Sequence, residues 1–402
     1  MNYKSIFNLL GMLLSLFSIS FLVPFSVALI YEEKGAEIFL YSFLFLLILG
    51  GGTWLSSRQE NITLNISDGF IVTTLFWVML AFAGSIPFFF FDLSFNAALF
   101  ESVSGITTTG ATTIIGLDEM PKSILIYRQL LQWMGGMGLI VLAVAVMPAL
   151  GIGGGQLYKM ELPGSHGNQK LTPRIADTAQ ALWKIYVGLT IACAILYSFS
   201  GMGFFDAIAH SLSTVAGGGF STHDDSIGFF NSGYVESICI IFMLLSAASF
   251  AVHYAAIFDR KPLKYFYDPE FRFFLSVVAL IIIISICILY ISNSYAVFYY
   301  AISAAIFHTV SIVTTSGFTT ENFSLWPGFL PYLLLVGAFM GACSQSVGGG
   351  IKAWRVLIMI NQAYKEILKT IHPNAVLTSK IGTRVIDAKI AEKVWGFFSI
   401  YV

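Results

Sequence analysis

Charge is scarce in this chain of 402 residues. Only 11% of them are Asp, Glu, Lys or Arg, against about 25% in an ordinary soluble domain. A chain that is 57% hydrophobic, with so little charge to cover it, cannot hide its apolar surface in a water-soluble fold. The 21 basic and 22 acidic residues leave a formal net charge of -1, which excludes a bulk basic footprint for nucleic acid. Cysteine is scarce as well. Cys193, Cys239, Cys287 and Cys343 all lie in apolar stretches without metal-ligand spacing and read as packing residues. Neither an HExxH nor a GxSxG pattern appears, so a membrane-embedded enzyme built on Glu101, His210 and His308 lacks its nucleophile or metal constellation.

What the chain has is long apolar runs, with a mean hydropathy of +0.80. Runs long enough to cross a bilayer, roughly 20 residues, fall at 7–30, 37–56, 69–92, 125–149, 181–204, 233–258, 273–292 and 328–360, and a ninth begins near Ile390. The first run carries Ser26-Val27-Ala28, which resembles a signal-peptide cleavage site. Yet it exceeds the 7–15-residue apolar core of such a peptide and reads as a retained span. With the N-terminus in the cytoplasm, only Lys34, Lys122 and Arg128 of the 21 basic residues fall outside. Lys159, Lys170, Arg174, Arg260, Lys261, Lys264 and the series from Lys352 to Lys393 fall inside, which sets the orientation by the positive-inside rule.

Three segments, 95–107, 205–215 and 297–313, are too short to span and too apolar for loops. Short apolar helices that enter and return are tolerated only where protein or a water-filled cavity satisfies their backbone. Each is followed by a strand that aligns with the others without gaps: Gly110-Ala111-Thr112-Thr113, Gly219-Phe220-Ser221-Thr222 and Gly317-Phe318-Thr319-Thr320. Six residues before each glycine stands Ser104, Ser213 or Ser311, and nine before stands Glu101, His210 or His308. The glycines lie 109 and 98 residues apart, the period of a span, a half-helix and a second span.

This residue chemistry suits a dehydrated monovalent cation. Inward-facing backbone carbonyls replace water without fixed charge, and glycine reaches the backbone angles that aim them. Neighbouring hydroxyls add oxygens, and each short helix points its partially negative C-terminal end at the ion. No acidic ring lies in the glycine strands, which argues against a divalent-selective filter. The competing reading of each glycine cluster is close helix packing, which three aligned copies disfavour. Glu101, His210 and His308 either converge on a metal or form hydrogen bonds behind the filter or at a helix flank, and the second reading is preferred.

Several motifs carry a resemblance across nearly the whole chain. These are the three glycine strands, Gln132-Trp133-Met134-Gly135-Gly136-Met137-Gly138, Phe220-Ser221-Thr222-His223-Asp224, the run Ser311 to Thr320, and Ile371-His372-Pro373-Asn374-Ala375-Val376. With them the chain resembles the Trk/Ktr/HKT superfamily of potassium transporters, most closely the bacterial TrkH type. The resemblance implies an all-α integral membrane protein of repeated span–pore half-helix–span units with re-entrant filter loops, as in potassium-channel-like transporters. It implies potassium uptake across the bacterial inner membrane, with potassium as the transported ion, no organic cofactor and no enzyme activity. It further implies a homodimer in membrane lipid, seated on a cytoplasmic nucleotide-binding regulatory subunit. On this mapping Thr108, Thr109 and Gly110, then Gly217, Gly218 and Gly219, then Thr315, Ser316 and Gly317 form the potassium filter.

The eighth run is interrupted by Gly341-Ala342-Cys343-Ser344-Gln345-Ser346-Val347-Gly348-Gly349-Gly350. Three successive glycines cost a helix roughly 1 kcal/mol each relative to alanine, so the span is predicted to break here. By resemblance the break is a gate, carried by Cys343, Ser344, Gln345, Ser346, Gly348, Gly349 and Gly350. Gln345 and Val347 depart from the glycine and threonine usual in that loop. A phosphate-loop reading of Gly348-Gly349-Gly350-Ile351-Lys352 fails, because no Gly-Lys-Ser/Thr follows.

The predicted organisation is a two-helix extension at 1–60, pore units at 61–155, 156–262 and 263–389, and the start of an incomplete fourth unit at 390–402. The next filter glycine falls beyond residue 402, so either a longer chain or a second chain is expected to supply the fourth side. Transport is not expected from these residues alone. The second strand also departs, with Ala216-Gly217-Gly218 where threonine or serine is more usual. Cytoplasmic loops 151–180 and 361–389 read as a docking surface for the regulatory subunit or as a solvated positive-inside face. A broken-helix secondary transporter is the alternative, and would call for inverted halves and intramembrane charges.

Overall fold

The computed structural model describes residues 3–58, 66–138, 175–374, 377–378, 380–382 and 384–402. Segment 151–174, with Lys159, Lys170 and Arg174, lies outside the described residues, as do positions 139–149 of the fourth predicted span and Ala375-Val376. The chain forms two compact units, Met1–Phe242 with Ser316–Thr320, and Met243–Thr315 with Glu321–Val402.

The first unit opens with α1 (Tyr3–Ser18), a single 3-10 turn, α2 (Leu22–Ile30) and α3 (Ala36–Ser56). Small residues let α1 and α3 approach closely. A Cβ on Gly11 would stand 2.4 Å from Thr53 Oγ1, and one on Gly50 would stand 2.7 Å from Ser15 Oγ, the small-residue packing by which helices associate in lipid. Next come α4 (Ile66–Phe90), the half-helix α5 (Phe95–Ile106) and α6 (Lys122–Trp133), which runs into a π-turn at Met134–Gly138. Ser94 starts α5 by accepting from Ala97 N. A cluster of Tyr127, Phe21, Phe39 and Phe88 fills the space between these helices, and Tyr127 donates to Gly84 O at 2.8 Å. Then follow α7 (Ile175–Phe199), the half-helix α8 (Phe204–Ala216) and α9 (Gly233–Ala247), whose last residues belong to the second unit.

The second unit continues with α10 (Phe250–Ile257), the short α11 (Lys264–Tyr267), α12 (Pro269–Ile291) and the half-helix α13 (Phe298–Val313). After these come α14 (Leu330–Met340), α15 (Ala353–Ile371), a two-residue antiparallel pair (Lys380–Ile381 with Arg384–Val385) and α16 (Ala388–Tyr401). Asp268 accepts from Phe271 N and Pro269 takes the first helical position, which fixes the start of α12.

Among the described residues five helices are long and apolar enough to cross a membrane, and six if α9 and α10 count as one. Their outer faces carry bare apolar side chains such as Ile48 and Ile283, which belong in lipid. The half-helices are 12, 13 and 16 residues long. That gives about 18–24 Å at 1.5 Å per residue, short of a roughly 30 Å hydrocarbon core.

The expected break in the eighth run is present: α14 stops at Met340 and α15 starts at Ala353. Two expectations need correction. The sixth run, 233–258, is not one straight span, because α9 and α10 meet at 102°. Its helix stops at Ala247 and restarts behind Ser249, whose side chain accepts from Ala251 N. Segment 361–389 is not loop throughout, since its first part continues α15 to Ile371.

Three glycine strands and a glycine-rich loop

Each half-helix ends in the same backbone turn. At Thr108, Gly217 and Thr315 the chain leaves the helix with φ of +55°, +64° and +62°. Thr108 N and Thr109 N return to Gly105 O and Ser104 O, and Gly217 N and Gly218 N return to Thr214 O and Ser213 O. Thr315 N returns to Ile312 O. The paired returns of the first two are the Schellman ending, which consumes carbonyls that the helix would otherwise leave open. Two residues later φ is positive again, +76° at Gly110, +78° at Gly219 and +84° at Gly317. Only Gly217 of the three exit positions is a glycine. Thr108 and Thr315 bear a left-handed backbone that costs a non-glycine residue about 1–2 kcal/mol.

Neighbouring strands meet glycine to carbonyl. A Cβ on Gly110 would stand 2.1 Å from Gly218 O, and one on Gly219 would stand 2.0 Å from Ser316 O. A Cβ on Gly317 would meet open space. Thus residues 108–110, 217–219 and 316–317 are brought together, with the carbonyls before Gly219 and Gly317 set against Gly110 and Gly219 respectively.

Two of the hydroxyls beside the glycines make hydrogen bonds within the protein. Thr109 Oγ1 pairs with Thr107 Oγ1 at 2.7 Å. Thr315 Oγ1 accepts from Gly349 N at 2.6 Å, within the second unit.

The aligned Glu101, His210 and His308 each bind the chain beyond their own glycine. Glu101 Oε1 accepts from Thr112 Oγ1 and Thr113 N, both at 2.6 Å. His210 bridges Asp206 O and Ser221 Oγ, both at 2.9 Å, and His308 reaches Ala304 O and Glu321 O. Among the described residues no group of His, Cys, Asp and Glu is arranged to hold a metal ion.

Two residues on α6 hold the strands from behind, and sequence reasoning gave neither a role. Arg128, placed outside by the charge count, is fully buried. It donates to Glu101 Oε2 at 3.3 Å, Ser221 O at 3.1 Å and Thr112 Oγ1 at 3.0 Å, with its guanidinium over the Phe220 ring. It is therefore a desolvated ion pair that ties the first strand to the second. One helical turn on, buried Gln132 donates to Gly218 O at 2.6 Å and accepts from Phe220 N at 3.0 Å. The signal available was a polar pair at i and i+4 inside an apolar run, which places both on one helix face.

Outside the half-helices, the segments after the first two glycines are cross-braced. Asp224 accepts from Gly116 N and Leu117 N, and His223 lies flat against Phe229 with Asp118 bonded at Nδ1 and Asp206 3.6 Å away. Burial alone would lower the His223 pKa, but the two carboxylates outweigh it and lift it above the ordinary 6.5. The hydrogen bond from His223 holds Asp118 below the usual carboxylate range.

The loop between α14 and α15 is pinched shut at its neck. Ala342 N donates to Gly349 O, Ile351 N to Phe339 O and Lys352 N to Met340 O. Gly341, at φ +68°, lies so close to Gly349 that a Cβ would stand 2.2 Å from its carbonyl. Gln345, which departs from the resembled pattern, adopts φ +59° where glycine would be unstrained. Lys352 donates inward to Ser346 O and Gly348 O, and Glu270 accepts from Ser344 N and Trp354 N. The loop also occupies the bend in the sixth run: Cys343 N donates to Ala247 O and Phe250 N donates to Gln345 O. Those are backbone groups that a continuous helix would have paired internally.

The family model for TrkH, described as a cation transport protein, matches residues 35–402. The Trk system potassium uptake protein TrkH of Vibrio parahaemolyticus is 48% identical over all of this chain and 84% of its own length. That of Escherichia coli is 46% identical over all of this chain and 84% of its own. The crystal structure of the potassium transporter TrkH from Vibrio parahaemolyticus superimposes with a TM-score of 0.89 at 46% identity, covering 100% of this chain and 83% of that one. Family model, relatives and solved structure agree, and the chain belongs to the TrkH family of cation transport proteins.

Proposed function

We propose that this chain is the ion-translocating subunit of a potassium uptake system in the bacterial inner membrane. The observation that carries the reading is the repeated pair of left-handed positions at 108/110, 217/219 and 315/317. Left-handed residues at alternate positions turn successive carbonyls to one side of a strand. A dehydrated monovalent cation then exchanges water for carbonyls at Thr109, Gly110, Gly218, Gly219, Ser316 and Gly317. The same glycine-to-carbonyl step, taken from Gly317, calls for a fourth strand beside it. The relatives carry potassium uptake in their names, which fixes the cargo in this reading.

Loop 341–352 is the gate in this account, with Thr315 and the pinched neck holding it closed. Cys343, Ser344, Gln345, Ser346, Gly348, Gly349 and Gly350 move on opening. In this reading the pore units are 61–155, 156–262 and 263–389, after the extension 1–60 and before the start of a fourth unit at 390–402. The N-terminus is cytoplasmic. With Arg128 buried, the outer side keeps only Lys34 and Lys122, which sharpens the charge asymmetry. A homodimer seated on a nucleotide-binding regulatory subunit completes the assembly, with segments 151–180 and 361–389 as its docking surface.

The test is rubidium uptake and growth at low potassium in cells lacking their own potassium uptake. Expression from the complete gene restores both, and Gly110→Ala or Gly219→Ala abolishes both without loss of membrane abundance. Normal uptake by both variants would overturn the filter assignment.

A further inference from the structure

The second filter strand carries Gly217-Gly218 where the first carries Thr108-Thr109 and the third Thr315-Ser316. Gly217 stands at the left-handed helix exit, where glycine is the unstrained residue. Gly218 has a different reason. The place of its Cβ is already taken by the Gln132 amide, whose Cδ, Oε1 and Nε2 would lie 2.3, 2.5 and 2.7 Å from it. A hydroxyl-bearing side chain and Gln132 cannot both occupy this position.

Gln132 bonds on both sides of Gly219. Its Nε2 donates to Gly218 O at 2.6 Å and its Oε1 accepts from Phe220 N at 3.0 Å. The Gly218 carbonyl is also the one set against Gly110, in the position that Ser316 O holds against Gly219. The amide is itself fixed. Arg128, one turn earlier on α6, holds Ser221 O. One residue later the Trp133 carbonyl is held by the Tyr186 hydroxyl at 2.8 Å, and the indole donates to Thr190 Oγ1. In the π-turn that follows, a Cβ on Gly135 would stand 1.9 Å from Ile106 O, so α6 is seated directly against the end of α5.

We propose that Gln132 is a specificity-determining positioning residue of the cation path, replacing the hydroxyl side chain that the second strand lacks. The inference rests on the filter reading above. A carbonyl oxygen has two lone pairs. The amide donor takes one, fixes the direction of the other toward the ion, and prevents the strand from closing in on a smaller ion. Carbonyl position and field strength together set the preference between potassium and sodium.

The experiment measures initial rubidium and sodium uptake, with membrane abundance, in cells expressing the complete gene. Gln132→Met keeps the volume and removes both hydrogen bonds. It is expected to lower the rubidium-to-sodium ratio about fivefold, the scale that one hydrogen bond's net contribution allows. Gly218→Ser alone is expected to stop uptake, because its side chain meets the amide. Gln132→Ala combined with Gly218→Ser is expected to restore rubidium uptake by putting a hydroxyl side chain back on the strand. An unchanged ratio in Gln132→Met at normal abundance, or a double variant no better than Gly218→Ser, would overturn the proposal. Gly110→Ala in the same series separates the two ideas. If it transports normally the filter reading fails, and if it is inactive while the Gln132 variants are unaltered, only this inference fails.

Discussion

Gly219→Ala is the most exacting perturbation of the strands. The new methyl would stand 2.0 Å from Ser316 O and 3.0 Å from Ser316 C, both backbone atoms. An ordinary carbon–oxygen contact needs more than 3 Å, so the third strand must retreat by over about 1 Å. Left-handed backbone, here φ +78°, costs a residue with a side chain about 1–2 kcal/mol. Overpacking against atoms that cannot rotate away adds typically about 1–3 kcal/mol. The sum, about 2–5 kcal/mol, corresponds to at least a 25-fold loss at 1.4 kcal/mol per decade. The assay is initial rubidium uptake normalised to protein in the membrane. Gly188→Ala is the control, since nothing lies within 4 Å of its Cβ position, and it is expected to keep uptake within about twofold. Wild-type uptake by Gly219→Ala at normal abundance would refute the reasoning.

Three further outcomes follow from the same geometry. Arg128→Leu leaves Glu101 buried without its cation and is expected to cost about 3–5 kcal/mol, read as a drop in thermal midpoint; Glu101→Gln/Arg128→Leu should recover much of it, and equal losses would contradict the ion-pair account. Thr315→Val removes the acceptor that holds Gly349 N at 2.6 Å and should raise flux about threefold, as should shortening 343–349; unchanged flux in both would sink the gate assignment. The His223 brace has a definite pH sign. His223 is raised, so its contribution is full below about 6.5 and is lost as pH climbs through its folded value. Asp118 is lowered, so its contribution is present above the ordinary 3.8 and is lost only at lower pH. Protease cleavage in 115–120 should therefore increase from pH 6 to pH 8. His223→Gln should flatten that dependence, with Asp206, Asp224 and His210 left in place around it.

The half-helices were legible because their signal is local. An apolar run too short to span, followed by glycine and hydroxyls, appears three times with the same flanks, and the ends fell within a residue or two. The break at 341–350 was legible for the same reason, since successive glycines weaken a helix without help from elsewhere. The 102° bend at Ala247–Ser249 was not legible. Ala-Ala-Ser-Phe contains no proline or glycine, and the backbone groups freed there are taken by Cys343 and Gln345 from far along the chain. The roles of Arg128 and Gln132 were hidden likewise. Both are polar residues of one helix, and the meaning of each depends on which strand lies opposite. The reason for the glycine at 218 was hidden as well, because the Gln132 amide that takes the place of its Cβ comes from another element.

The most direct test of the central claim is anomalous diffraction from crystals of the full-length protein grown in rubidium. An anomalous peak is expected between the three strands, within coordination distance of the carbonyls of Gly218 and Ser316. Rubidium bound elsewhere in the molecule, with none between these strands, would contradict it.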